Sequence, residues 1–320
     1  MAANLVAISP STIRTVALPL ANPLSAREYN RIHKTRRVSI CLQALRLWHL
    51  ASFDAPTVAV VWAYAIAKVE GVHLQPWVAL LLFSGTWTVY VGDRLLDAYR
   101  AMRSSRLDAL RERHFFHWRH RHTLIPLAAC SAAFAATLVA HLMPVVVRER
   151  NSVLAAAALM YFSGVHSTSR FPAWLRTAGW KELLVGILFT AGCATPTLSQ
   201  IHFGVIRVAT VWPMFLCLIF FAALAWCNCR AIDRWESAES SGEVRFHACL
   251  LVVAGATISV ALAWTHTGPS ALIASATASS FLLLILDRMR FRVSPLTLRA
   301  LADLVLLTPA VLFALGAGSA

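Results

Sequence analysis

The chain has 320 residues, of which 58% are hydrophobic and only 14% charged, and its mean hydropathy is +0.63. Ordinary soluble domains carry about one-quarter charged residues, so this composition excludes a secreted disulfide scaffold, a disordered chain and a typical soluble α/β enzyme. The net charge of +14 would suggest nucleic acid in a soluble protein; in so apolar a chain it marks loops facing anionic lipid and anionic substrates, with no nucleic-acid partner expected.

Residues 1–40 contain no long apolar run. They hold Pro10, Pro19 and Pro23 and then a basic patch of Arg31, Lys34, Arg36 and Arg37. A flexible basic cytoplasmic tail is expected, with an organelle transit peptide as the alternative. From there apolar runs alternate with short polar joints. Spans are expected near 51–68, 76–92, 124–147, 152–167, 182–199, 208–228, 247–265, 270–286 and 300–317. All should be helical, because backbone in lipid must satisfy its own hydrogen bonds and a barrel would show two-residue alternation. The expected fold class is all-α: a polytopic membrane bundle of about nine helices, forming one membrane-embedded domain over 41–320.

Loop charges support that order. With these spans, 25 of the 29 Lys and Arg fall on the side of the amino terminus, and only Lys68, Arg148, Arg150 and Arg207 on the other. Such an asymmetry sets the amino terminus inside. The joint from Ala101 to Arg121 is especially basic, with Arg103, Arg106, Arg111, Arg113, Arg119 and Arg121 beside His114, His117 and His120. It reads either as a short amphipathic cap helix or as a solvated inner loop held by anionic lipid. The seven cysteines form no Cys-x-x-Cys pair and read as small buried hydrophobes rather than metal ligands or a redox pair.

With only 15 acidic residues, their placement is informative. Two groups lie at the inner ends of even-numbered spans. Leaving span two, Asp93 and Asp97 are four apart and share a helix face. Leaving span six, Asp233 and Glu236 are three apart and again share a face, with Asn228 earlier on the same helix. Carboxylate pairs facing each other across a bundle suit a hard divalent cation such as Mg²⁺, which bridges protein oxygens to substrate phosphates. Helix-end charges in the headgroup zone are the alternative for either group taken alone.

On these residues the chain resembles the UbiA superfamily of intramembrane prenyltransferases, over about residues 40–317. That family has nine helices and two Asp-rich motifs following helices two and six. Asp93 and Asp97 fall on the aspartates of the first motif, Asn-x-x-x-Asp-x-x-x-Asp, and Val89 stands where its Asn would be. Asp233 matches an aspartate of the second motif, Glu236 sits where a further carboxylate is common, and Asn228 stands for another; position 237 is Ser.

The resemblance implies a Mg²⁺-dependent enzyme that moves an isoprenoid chain from an allylic prenyl diphosphate to an aromatic or other lipophilic acceptor. It implies Asp93, Asp97, Asp233 and Glu236 as metal ligands and Lys181, before span five, as a catalytic cation on the diphosphate. Arg94, Arg100, Asn228, Arg230, Arg234, Tyr161 and His166 are the remaining substrate-binding candidates, and Trp62, Phe83 and Trp87 could line the isoprenoid channel. Gly186 and Gly192 in span five are expected mainly to allow close helix packing. The implied location is a multi-pass position in a bacterial cell membrane, with membrane lipid as partner. A non-catalytic isoprenoid-binding relative and a multi-span transporter remain as alternatives. The Asp-Gly-x-x-Ala-Arg signature of the CDP-alcohol phosphotransferases is not found in the chain.

Overall fold

A computed structural model describes residues 40–103, 110–166, 178–201, 208–237 and 242–311. The chain divides into two units, Met1–Leu42 and Gln43–Ala320. The expected tail over 1–39 lies outside the described residues.

The described residues are all-helical. In order, the elements are α1 (Ile40–Leu50), α2 (Asp54–Val69), α3 (Pro76–Arg103), α4 (Glu112–Arg119), α5 (Arg121–Leu142), α6 (Val145–His166), α7 (Ala178–Leu198), α8 (Val208–Glu236), α9 (Gly242–Ala263), α10 (Thr267–Met289) and α11 (Pro295–Leu304), closed by a 3₁₀ turn at Val305–Leu307. The expected spans from 51–68 to 270–286 fall mainly on α2, α3 and α5–α10 in turn, whereas 300–317 meets only the end of α11 and the 3₁₀ turn, and 312–317 lies outside the described residues. Among the described residues, four stretches are both long and apolar enough to cross a bilayer: Arg121–Leu142, Trp212–Glu236, Gly242–Ala263 and Thr267–Met289. A fifth would be α1 and α2 together, but the two are bent by 87° at their junction. The strongly basic joint does form a short helix, α4.

Local sequence explains the junctions. Ser52 takes φ of +62°, a left-handed conformation that costs a non-glycine residue, and α2 begins two residues later. Asp54 in the first turn of α2 and Lys68 in the last complement the helix dipole. Gly71, at φ of +66°, supplies the turn beyond. Ser294 caps α11 by accepting from the Thr297 N–H, and Pro295 follows at the first helical position, where a missing N–H costs nothing.

The core lies between α2, α7, α8, α10 and α11. Trp62 stacks on Phe221 with ring centroids 3.6 Å apart, and its indole N–H donates to the Leu306 carbonyl at 2.9 Å. Trp62 is therefore a core residue and not a channel lining. Trp87 donates to the Ala51 carbonyl at 2.8 Å and stacks near Phe53, and Phe83 packs on the same Phe53. Both brace the α1–α2 junction. Cys193, Cys217 and Cys227 are buried as expected, while Cys41, Cys130 and Cys249 are exposed.

Close approach depends on two glycines. At Gly186 an added Cβ would lie 2.8 Å from the Ala222 carbonyl oxygen, so α7 touches the backbone of α8; at Gly192 nothing lies within 4 Å. At Gly255 the contact is tighter: a Cβ would sit 2.1 Å from Thr277 Oγ1 and 2.6 Å from the Phe220 ring. Gly255→Val should therefore destabilise the bundle by about 3 kcal/mol or more, through forced separation of α9 from α10. A lowered melting temperature in detergent checks this, and parental melting would refute the packing.

Outward faces are as apolar as the core. On α9, Leu250, Val253 and Val260 are exposed while Ala248, Gly255 and Leu262 are buried. A helix apolar on both faces calls for an apolar surrounding.

Candidate functional site

The arginine-rich end of the second unit carries a closed chain of buried polar groups. It begins at the α1–α2 junction, where His49 is fully buried and Asp54 nearly so. His49 Nδ1 lies 2.6 Å from Asp54 Oδ2 and 3.5 Å from Asp303 Oδ2 on α11. Asn228 of α8 donates to the other Asp303 oxygen at 3.3 Å. From α3, Arg94 reaches into the same junction. Its Nη1 donates to the His49 carbonyl at 3.1 Å and to the Ser52 hydroxyl, and its Nη2 is 3.5 Å from Asp54.

The chain continues through α4. The Ser52 hydroxyl lies 3.0 Å from His117 Nε2, and His117 Nδ1 lies 2.7 Å from the Arg113 carbonyl. A carbonyl only accepts, so Nδ1 carries the ring proton. Ser52 accepts from Arg94 and donates its own proton to Nε2, which fixes His117 as a neutral tautomer. Arg113 then pairs with Glu236 at the end of α8, at 2.6 Å, and Arg299 of α11 pairs with the same carboxylate. Arg299 and Asp303 stand one turn apart, so α11 closes the circuit.

Both buried histidines of α4 are held neutral. Burial, with Arg94 next among the lowering causes, brings His117 down to about 4. Burial and then the Arg113 and Arg299 charges bring His114 down to about 3, from an ordinary 6.5. The unfolded chain takes up these protons near pH 6.5 and the folded chain does not until lower pH. The stability they contribute is complete above about pH 6.5 and is lost as pH falls towards 4. Melting temperature should drop over that window, and His117→Gln should flatten the drop. An equal slope in variant and parent would contradict the neutral assignment.

Several expected site residues take other parts. Arg94 points into the α1–α2 junction rather than outward to a ligand, because Asp54, Ser52 and the His49 carbonyl occupy its donors. Glu236, expected as a cation ligand, has its two oxygens facing Arg113, Arg299 and, at 3.7 Å, Arg111. Three guanidinium groups already balance that carboxylate, so it does not fit a metal-ligand role. Asn228 is buried and engaged with Asp303. Arg230 pairs with Asp233 at 3.6 Å and with Glu243 at 3.2 Å, and Arg234 pairs with the same Glu243 at 2.8 Å.

The remaining candidates gather elsewhere along the same end. Asp93 and Asp97 on α3 are half-buried and act electrostatically on Tyr161 of α6, as does Glu182 of α7. Glu182 in turn feels Asp233 and Arg230 of α8 and its neighbour Lys181. Tyr161 is thus within electrostatic reach of acids on α3 and α7, and Glu182 of charges on α8. Lys181, Arg100 and Asp233 are exposed. His166 closes α6, and its side chain lies outside the described residues.

A cation would find two kinds of donor. Asp93, Asp97 and Asp233 offer oxygen ligands that fit Mg²⁺ chemistry. Among the described residues, the one group of three close His, Cys, Asp or Glu ligand atoms is His49, Asp54 and Asp303, all within 4.8 Å of one another. That set mixes nitrogen and oxygen, which suits Zn²⁺ or other transition metals better than Mg²⁺. Arg94 lies beside Asp54, and Arg299 is within electrostatic reach of both carboxylates, so the group is charge-balanced as it stands.

Sequence reasoning passed over His49, Asp54, Glu182, Arg299 and Asp303. A signal existed for two of them: Asp54 and Asp303 are single acids inside expected apolar spans, where a charge is costly unless partnered. Comparison with family models, with characterised proteins and with solved structures finds no match for this chain.

Proposed function

We propose that this protein is a multi-pass intramembrane prenyltransferase, with nine spans and its amino terminus in the cytoplasm. It takes the isoprenoid chain of an allylic prenyl diphosphate and joins it to an aromatic or other lipophilic acceptor. The observation that carries this reading is the electrostatic reach of Asp93, Asp97 and Glu182 to Tyr161, and of Asp233 and Arg230 to Glu182, across α3, α6, α7 and α8. Acids from distant segments gathered beside arginines and a lysine suit a diphosphate held through a hard cation.

In this reading Asp93, Asp97 and Asp233 would hold Mg²⁺, with Glu182 as the further carboxylate. Bound Mg²⁺ supplies charge stabilisation to the departing diphosphate. Arg230 and Lys181 neutralise its remaining oxygens. The acceptor's electron-rich carbon or oxygen forms the new bond to the isoprenoid carbon as the C–O bond to diphosphate breaks, and the proton that this atom then loses leaves with the released diphosphate. The surrounding apolar helices exclude water from that carbon.

The test is diphosphate release by the purified chain from farnesyl, geranylgeranyl and longer prenyl diphosphates, with and without Mg²⁺ and a panel of aromatic acceptors. Release that needs Mg²⁺ and acceptor supports the reading. Prenyl diphosphate binding without turnover would indicate a non-catalytic isoprenoid binder, and ion flux in liposomes a transporter; either result defeats it.

A further inference from the structure

A second feature at the arginine-rich end uses neither Asp93, Asp97 nor Asp233. Between the end of α8, the end of α10 and the start of α11 lies a cavity of about 230 Å³. Arg234, Arg290 and Arg299 line it, with Glu236 as its one lining acid. Its walls include Trp235, Phe291 and Leu298. Three cations against one acid leave an excess of positive charge, and that acid is already shared with Arg113 and Arg111 from outside the cavity.

Arg290 is the informative residue. Its Nε and Nη1 are buried and find no hydrogen-bond acceptor among the described residues, and Arg299 Nε is in the same state. The ion pair of Arg290 is a long one, 3.6 Å to Asp287, its neighbour one turn back. Asp287 already accepts from Arg245 at 2.6 Å and from the Trp235 indole at 2.8 Å. The guanidinium is held in place by the Phe291 ring, 4.5 Å away. Buried charged donors without acceptors are costly, and the two side chains that carry them line the same cavity from two elements. A group with several oxygens in a fixed array answers them: guanidinium N–H pairs match phosphate geometry. The start of α11 at Pro295 also borders the cavity, adding the positive end of a helix dipole.

The apolar half of the lining adds a second requirement. The cavity is smaller than the roughly 300–1,000 Å³ of a drug-sized pocket, so it holds a headgroup and the first atoms of a chain. It lies where α8 and α10, two helices able to span a bilayer, reach their charged ends. We propose that this cavity binds the phosphate group of an anionic amphiphile, with Arg290 and Arg299 as its principal donors. This site is independent of the transferase reading, and absence of turnover would leave it standing.

The experiment uses the full chain in a nonionic detergent, titrated with dioleoyl phosphatidic acid, with inorganic phosphate, and with uncharged dioleoylglycerol, and read by native mass spectrometry. Phosphatidic acid should bind, and dioleoylglycerol should not compete. Arg290→Gln should weaken phosphatidic acid by about tenfold or more, the loss expected for one charged hydrogen-bonding group. Leu298→Trp, which fills the cavity and leaves every charge in place, should weaken it comparably. Arg288→Gln, at an exposed position outside the cavity, should not. Inorganic phosphate that displaces phosphatidic acid at similar concentration would assign the site to free phosphate; displacement only at large excess would assign it to a lipid headgroup. Both keep the phosphate chemistry. Unchanged binding in Arg290→Gln and Leu298→Trp, with parental melting, would overturn the proposal and leave only diffuse attraction between lipid and basic surface.

Discussion

Asp93→Ala and Asp233→Ala should each lower Mg²⁺-dependent diphosphate release by about 10²-fold or more, with melting temperature nearly unchanged. Loss of one preorganised group that stabilises developing charge has an effect of that order. Neither side chain is buried in the polar circuit around His49, so their removal should not loosen the fold: Asp93 is half-buried and Asp233 exposed. Glu236→Gln provides the contrast. Its carboxylate holds Arg113 and Arg299 together, so this variant should lose stability, and any lost turnover should not be restored by raising Mg²⁺. For Asp93→Ala, partial recovery at high Mg²⁺ is expected, because a lost ligand weakens the ion's affinity. Turnover in Asp93→Ala and Asp233→Ala equal to the parent would end the assignment of these acids.

The second large effect concerns Arg94. Asp54 and Arg94 are both buried, with side chains 2% and 5% exposed. Removing one partner of such a pair leaves an uncompensated charge, at a cost of about 3–5 kcal/mol. Arg94→Met should therefore lower the melting temperature by roughly 10 °C. The double variant Arg94→Met with Asp54→Asn should recover part of that loss, since no naked carboxylate remains. A ligand-binding Arg94 would behave differently, raising KM for prenyl diphosphate without moving the melting temperature. That outcome would refute the structural part given to Arg94 here.

These two variants separate what was legible in the sequence from what was not. Asp93 and Asp97 can be read as a pair because their four-residue spacing puts them on one helix face, whatever that helix packs against. Glu236 has the same local logic with Asp233, yet the two acids take different company. Asp233 meets Arg230 on its own helix and acts on Glu182 of α7, whereas Glu236 meets α4 and α11. Three residues of helix leave the two side chains about 60° and one turn apart, near the helix end where different elements pack, so one face meets two sets of neighbours. Arg94, one residue after Asp93, is turned by about 100° and so faces the α1–α2 junction instead.

The sequence by itself determined that the described chain is helical and that several of its helices are apolar enough to cross a bilayer. Each of these follows from composition and periodicity along a single segment, where neighbours are given by residue number. It also placed Asp54 and Asp303 inside apolar stretches, 249 residues apart, without saying that one histidine lies between them. Only the tertiary structure decided that α11 returns beside the α1–α2 junction and that α4 presents His117 to Ser52. Those contacts are set by how helices dock, and the energy of docking is spread over many side chains, so no local pattern carries it.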